Sequence, residues 1–210
     1  MECLFTDVRE GAPGLEYGPP VYARIGFDKA KLDRLIAAMA ERKRPHASDG
    51  EFRYELCYVP YYLIRVRGTK PRRFRPPLIR CTCFGIEAVS GYYAATPGLL
   101  PNADMQEENI REGARFPVRI PVEEALQKGM EALRENASFS VKGVFWCSRA
   151  LEIRVEAIQF VYKPYWAVHL ETPEGHVTRA IDAVTGELGG SNGYRFMQCY
   201  QNSRPMGSEL

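Results

Sequence analysis

Tyr162-Lys163-Pro164-Tyr165-Trp166 and Ile181-Asp182-Ala183-Val184-Thr185-Gly186 decide how this chain is read, because both recur earlier in the same order. Tyr58-Val59-Pro60-Tyr61-Tyr62 repeats the first as Tyr-x-Pro-Tyr-aromatic. Ile86-Glu87-Ala88-Val89-Ser90-Gly91 repeats the second as Ile-acid-Ala-Val-Ser/Thr-Gly. Two independent motifs in one order are not expected by chance, so the chain reads as two diverged copies of one unit. The connection between the motifs is nine residues longer in the first copy, Tyr62 to Ile86 against Trp166 to Ile181.

Upstream of each motif pair stands an amphipathic helix. Asp28 is placed to cap the first, Phe27 to pack on Leu32 as a hydrophobic staple, and Leu32, Leu35, Ile36 and Met39 form one apolar stripe. Pro45 ends it. The second helix follows Pro121 and runs to about residue 135, with Glu123 and Glu124 where the helix dipole favours anions. Val122, Ala125, Leu126, Met130 and Leu133 form its stripe. Gly129 on that stripe weakens the helix by about 1 kcal/mol but permits close approach to a sheet. Strands are expected at Phe52–Leu56, Tyr58–Val66, Leu78–Phe84, Leu151–Val155 and Phe160–Leu170, with Pro60 and Pro164 opening their apolar runs.

The expected fold class is α+β, two tandem repeats, each a helix packed on a curved antiparallel sheet. The expected organisation is an irregular segment 1–26 with a short strand near Val21–Ile25, a first repeat 27–93, a linker 94–119, a second repeat 120–193 and a C-terminal tail 194–210. In the closing motif Asp182 and Thr185, like Ser90, can bond the turning backbone, while Gly186 and Gly91 supply positive φ.

From the helix at 121–135 through Tyr162–Val168 and Asp182-Ala183-Val184-Thr185-Gly186-Glu187, the chain resembles a PepSY domain over roughly 118–190. Residues 27–91 resemble it in outline, with Glu87 and Ser90 in place of the Asp and Thr. The resemblance implies a helix on an antiparallel sheet, and a role in binding polypeptide or regulating a peptidase.

Of the 210 residues, 45% are hydrophobic and 11% aromatic, enough for a packed core. A formal net charge of +2 implies no bulk polyanion partner, so electrostatic function must come from local clustering. The first residues lack the basic start and the apolar stretch of about 7–15 residues that mark a secretory signal. No window approaches the roughly 18 apolar residues of a spanning helix. The expected location is therefore the cytoplasm. Six scattered cysteines, Cys3, Cys57, Cys81, Cys83, Cys147 and Cys199, are expected as free thiols, with Cys81 and Cys83 as small buried residues.

No catalytic or metal constellation is legible. His46, His169 and His176 lack ligand spacing, and His169 should face away from Trp166, Val168 and Leu170. Asp182 is better explained by its turn than as a base, and no cofactor motif occurs. Two features point to binding. Arg65 to Arg80 holds seven basic residues and no acid; Arg65, Arg67, Lys70, Arg72, Arg73, Phe74 and Arg75 are the candidate site for RNA, single-stranded DNA or an acidic membrane. Tyr61, Tyr62, Tyr165 and Trp166, with Tyr92 and Tyr93, could line a groove or fill the core. The favoured function is a non-catalytic module holding a protein or peptide. The alternatives are an anion binder and an enzyme with an unrecognised site.

Overall fold

The structure, a computed structural model, describes residues 20–43, 52–95, 105–106, 113–137, 152–172, 175–188 and 190–202. It is an α+β fold with a mixed, mostly antiparallel sheet. In chain order the elements are β1 (Val21–Ala23), α1 (Lys29–Lys43), β2 (Phe52–Lys70), β3 (Leu78–Glu87), β4 (Tyr93–Ala95), β5 (Met105–Gln106) and β6 (Ala114–Arg115), then α2 (Val122–Ala137), β7 (Glu152–Thr172), β8 (Gly175–Asp182) and α3 (Gly190–Asn202).

Two compact units interleave along the chain. Among the described residues one unit holds 20–21, 61–95, 118–137 and 152–161. The other holds 22–43, 52–60, 105–106, 113–117, 162–172, 175–188 and 190–202. α1 and α2 therefore each share a unit with the hairpin of the opposite sequence half, whereas α3 stays with the hairpin of its own half.

In the first unit the strands bond in the order β4-β3-β2-β7, with β2 and β3 paired from Tyr61↔Glu87 to Lys70↔Leu78. α2 lies against β3. A Cβ on Gly129 would collide with the buried Phe84 ring and stand 3.2 Å from Ile86 Cγ1, so only glycine allows this approach. Arg119 and Ile120, which lead into α2, donate their N–H groups to the Ala88 carbonyl at 2.8 and 2.9 Å. Tyr62 Oη donates to the Ile120 carbonyl at 3.2 Å.

The second unit shows the same pattern with other residues. Gly26 and Phe27, which lead into α1, donate to the Ala183 carbonyl at 3.0 and 2.8 Å. Trp166 Nε1 donates to the Phe27 carbonyl at 2.8 Å. Asp28 caps α1 by accepting from the Lys31 N–H. The buried stripe residues Leu32 and Ile36 pack on Trp166, Val168, Ile181 and Ala183, with Phe27 and Leu35 at the margin. Strands here run β8-β7-β1-β5, and β6 pairs with β2 in parallel at Cys57 and Tyr58.

Several sequence expectations are corrected. Phe52–Leu56 and Tyr58–Val66 merge into one strand of 19 residues, and β7 is likewise continuous over 21. Pro60 and Pro164 are tolerated inside them because each immediately precedes the first residue paired with its hairpin partner, Tyr61 with Glu87 and Tyr165 with Asp182. The stretch read as a linker contributes β5, β6 and part of β4, and the stretch read as a tail contributes most of α3. Cys81 is exposed and Cys83 half-buried, because they pair across the ladder with the exposed Arg67 and Arg65. Cys57 and Cys199 are buried, and burial with the Glu55 carboxylate pushes the Cys57 thiol up.

Replacing Gly129 with Ala should test how closely α2 sits on β3. Helix propensity favours alanine by about 1 kcal/mol. Overpacking against Phe84 and Ile86 should exceed that and destabilise the protein by a net 1–3 kcal/mol or so in urea unfolding. Pairing it with Phe84→Leu should recover most of the loss.

Candidate functional site

β7 alternates between two surroundings in the second unit. Trp166 and Val168 point into the cluster under α1, whereas Tyr165 and His169 meet α3. The α3 side carries the polar chemistry. His169, only 7% exposed, lies with Nδ1 3.1 Å from Thr178 Oγ1 and Nε2 3.1 Å from Tyr200 Oη. Tyr200 Oη donates to Glu55 Oε1, and that oxygen is 3.6 Å from His169 Nε2. Four strands and helices thus supply one residue each: β2 gives Glu55, β7 His169, β8 Thr178 and α3 Tyr200.

An aromatic stack seats the helix beside this cluster. Phe196 lies flat on Tyr165 at 4.8 Å between centroids, and both it and Tyr200 meet Phe116 edge-on. Stacked and edge-to-face pairs of this kind contribute about 0.5–1.5 kcal/mol each beyond their area.

Lys163 is fully buried, with Nζ 2.6 Å from Asp182 Oδ2 and 5.2 Å from the Tyr165 ring centroid. Burial pushes its pKa down, and the Asp182 and Glu187 carboxylates partly offset this. Asp182 is committed elsewhere too. Its Oδ1 accepts from the Val184 and Thr185 N–H groups, and Gly186 turns the chain at φ 80°. In the first unit Glu87 accepts from the Val89 and Ser90 N–H groups and from Ser90 Oγ, and Gly91 has φ 78°. The acids of both motifs thus hold turns, and Asp182 in addition pairs with Lys163.

Between β8 and α3 runs an open trough of about 410 Å³, lined by Thr178, Ala180, Leu188, Gly193, Tyr194 and Met197 among others. Two of its apolar lining residues stand in solvent: Tyr194 is 62% exposed and Leu188 44%. Among the described residues the far edge of β8 meets only Leu188, through one bridge at Ile181. The Asp182 N–H points out to the Glu187 carbonyl, and the Ala183 N–H points in to Pro164. By the two-residue alternation of a ladder, the backbone groups of Ala180 also face outward.

The sequence-derived candidates divide. Tyr61, Tyr62, Tyr165 and Trp166 are all at most 7% exposed, so none lines an open groove; they bury ring area in the core. Tyr92 and Tyr93 are half-buried, with Tyr93 against Phe84. Arg65 and Arg67 share Glu156. Arg72, Arg73, Phe74 and Arg75 are exposed on the turn after β2, and the Lys70 side chain lies outside the described residues. His46, Cys3 and Cys147 do too, and only the backbone of His176, paired with Glu171, is described. Glu55, Thr178, Tyr194 and Tyr200 were not singled out from sequence. The one available signal is the Gly193, Phe196, Tyr200 spacing of a helix face in a segment starting Gly-Ser-Asn-Gly, which has low helix propensity.

Among the described residues no group of three or more His, Cys, Asp or Glu converges as a metal site, and no helix is long and apolar enough to cross a membrane. Compared with family models, curated proteins and solved structures, the chain gives no match.

The buried pair yields a prediction. Lys163→Met strands the Asp182 carboxylate and should destabilise by roughly 3–5 kcal/mol, while Lys163→Met with Asp182→Asn should recover most of it, since Asn keeps the Oδ1 acceptor. Burial lowers the folded-state pKa of Lys163 below the ordinary 10.5, so between the two values the unfolded chain holds the extra proton. Wild-type stability relative to the double variant should therefore rise as pH increases towards 10.5. Urea unfolding at a series of pH values checks both statements.

Proposed function

We propose that this protein is a non-catalytic module that holds an extended polypeptide along β8, with apolar side chains of the ligand seated in the trough against α3. The observation that carries this is the combination, in one place, of an outward-facing strand edge at Ala180 and exposed apolar side chains at Leu188 and Tyr194. Strand addition supplies main-chain hydrogen bonds for affinity and alternate side-chain pockets for selectivity. A small-molecule site would be more enclosed and would gather convergent polar groups. The His169, Tyr200 and Glu55 side chains bond one another beneath the trough, which suits them to holding α3 in place.

The duplicated motifs and the resemblance of 118–190 to PepSY domains support the same class of role, including regulation of a peptidase. We also infer that the two sequence halves are copies of one unit whose helices have exchanged hairpins. The paired bonds at Ala88 and Ala183, and at Tyr62 and Trp166, support that inference.

Peptides selected from a random library on the wild-type protein test the proposal. The selected peptides should be apolar at alternate positions. Tyr194→Ala with Leu188→Ala should weaken them at least tenfold in fluorescence polarisation. N-methylation of alternate peptide amides, with side chains unchanged, removes about one or two hydrogen bonds and should cost a further tenfold or so. Equal binding of methylated and unmethylated peptides would overturn strand addition.

A further inference from the structure

We propose that the turn joining β2 to β3 is an anchor for an acidic lipid surface, a role that goes beyond polypeptide binding at β8. The turn, 71–77, reads Pro71-Arg72-Arg73-Phe74-Arg75-Pro76-Pro77, and every one of these residues is exposed. Phe74 is 87% exposed, the most solvent-facing large hydrophobic side chain described, and Ile79, the second residue of β3, is 51% exposed. The Arg73 guanidinium lies 5.3 Å from the Phe74 ring centroid, so the ring has a cation above it and no core beneath it.

The end of the hairpin is covered on neither face. Cys81 and Thr82 are consecutive strand residues that point to opposite faces, and both are exposed. The ladder itself continues to Lys70↔Leu78, so the turn is presented by paired strands. Three prolines restrict it further, which reduces the ordering cost of docking.

Charge is concentrated at the same end. Nearer the core, Arg65 and Arg67 both pair with Glu156, at 3.3 Å for Arg65. Out at the turn stand Arg72, Arg73 and Arg75, in a stretch from Arg65 to Arg80 that contains no acid. An exposed aromatic on a turn that carries three arginines, with an exposed isoleucine at the start of the next strand, matches the layers of a membrane interface, with apolar groups at acyl depth and guanidinium groups at phosphate depth. Single-stranded nucleic acid calls instead for several rings along a charged groove, each stacking a base. Here a single ring stands at a tip, and Ile79 offers nothing to a base.

Each interfacial arginine contributes about a fivefold gain in partition to an acidic surface, so three together give roughly a hundredfold. Co-sedimentation of the full chain with vesicles of phosphatidylcholine, with or without phosphatidylserine, tests the assignment. The wild-type protein should bind the phosphatidylserine vesicles, less so as salt rises. Arg72→Ala/Arg73→Ala/Arg75→Ala should lose about two orders of magnitude. Phe74→Ser should lose about tenfold while keeping the salt dependence, which separates insertion from charge attraction. These positions are exposed and make no ladder bonds, so the variants keep their fold. Equal binding to neutral vesicles, wild-type binding by the triple variant, or binding to single-stranded RNA without binding to vesicles would each overturn the proposal. Peptide binding at β8 is measured on the same variants and should not change, so the two proposals fail separately.

Discussion

The carbonyl oxygen of Ala183 accepts hydrogen bonds from the N–H groups of Gly26 and Phe27, and most of the second unit depends on that junction. It joins the turn of one hairpin to the approach of a helix more than 150 residues earlier in the chain. Phe27 then offers its own carbonyl to Trp166 Nε1, its ring to the cluster under α1, and a start to the helix that Asp28 caps. If the Ala183 carbonyl were elsewhere, α1 would lose its register over the sheet. The first unit is held the same way at Ala88, by Arg119 and Ile120, with Tyr62 in the place of Trp166. An accepting carbonyl with two donors is worth only a few kcal/mol net. Its importance is geometric, because it fixes where a much larger apolar stripe lands.

The acids of the two repeated motifs serve these junctions. Glu87 and Asp182 are both buried, and each spends its carboxylate on the turn that aims the alanine carbonyl. Asp182 has the added partner Lys163, and the two charges make that turn expensive to open: separating them would leave a buried ion without a counter-charge. A residue that looks catalytic by type is thus scaffold by environment. The features proposed to bind partners lie along the outer side of β8 and at the tip of the β2–β3 hairpin, and do not use these carboxylates. Both are places where apolar side chains are left in water and the core does not need them.

What made the fold legible was local. Asp28 before an apolar stripe, Pro121 before another, and the two Tyr-x-Pro-Tyr runs are short-range signals, and each marks an element of the type expected. α3 was illegible because Gly190, Asn192 and Gly193 disfavour a helix, and its stability comes from tertiary contacts of Phe196 and Tyr200 with Tyr165, Phe116 and His169. The candidate site was hidden for the same reason. Glu55, Thr178 and Tyr200 are ordinary residues until strands and a helix from distant parts of the chain bring them to one histidine.

By itself the sequence determined the helices with their caps and stripes, the two long aromatic strands, and the acid-Ala-Val-Ser/Thr-Gly turns, because these follow from periodicity and backbone preference within a few residues. Tertiary structure alone decided which hairpin each helix covers. An amphipathic stripe specifies that an apolar sheet face is needed, but both hairpins offer one. The choice falls to long-range bonds at Ala88 and Ala183, which pair α1 and α2 with the hairpin of the opposite half. The same long-range packing set which arginines meet Glu156 and which stand in solvent, since charge order along a strand does not say what lies across it.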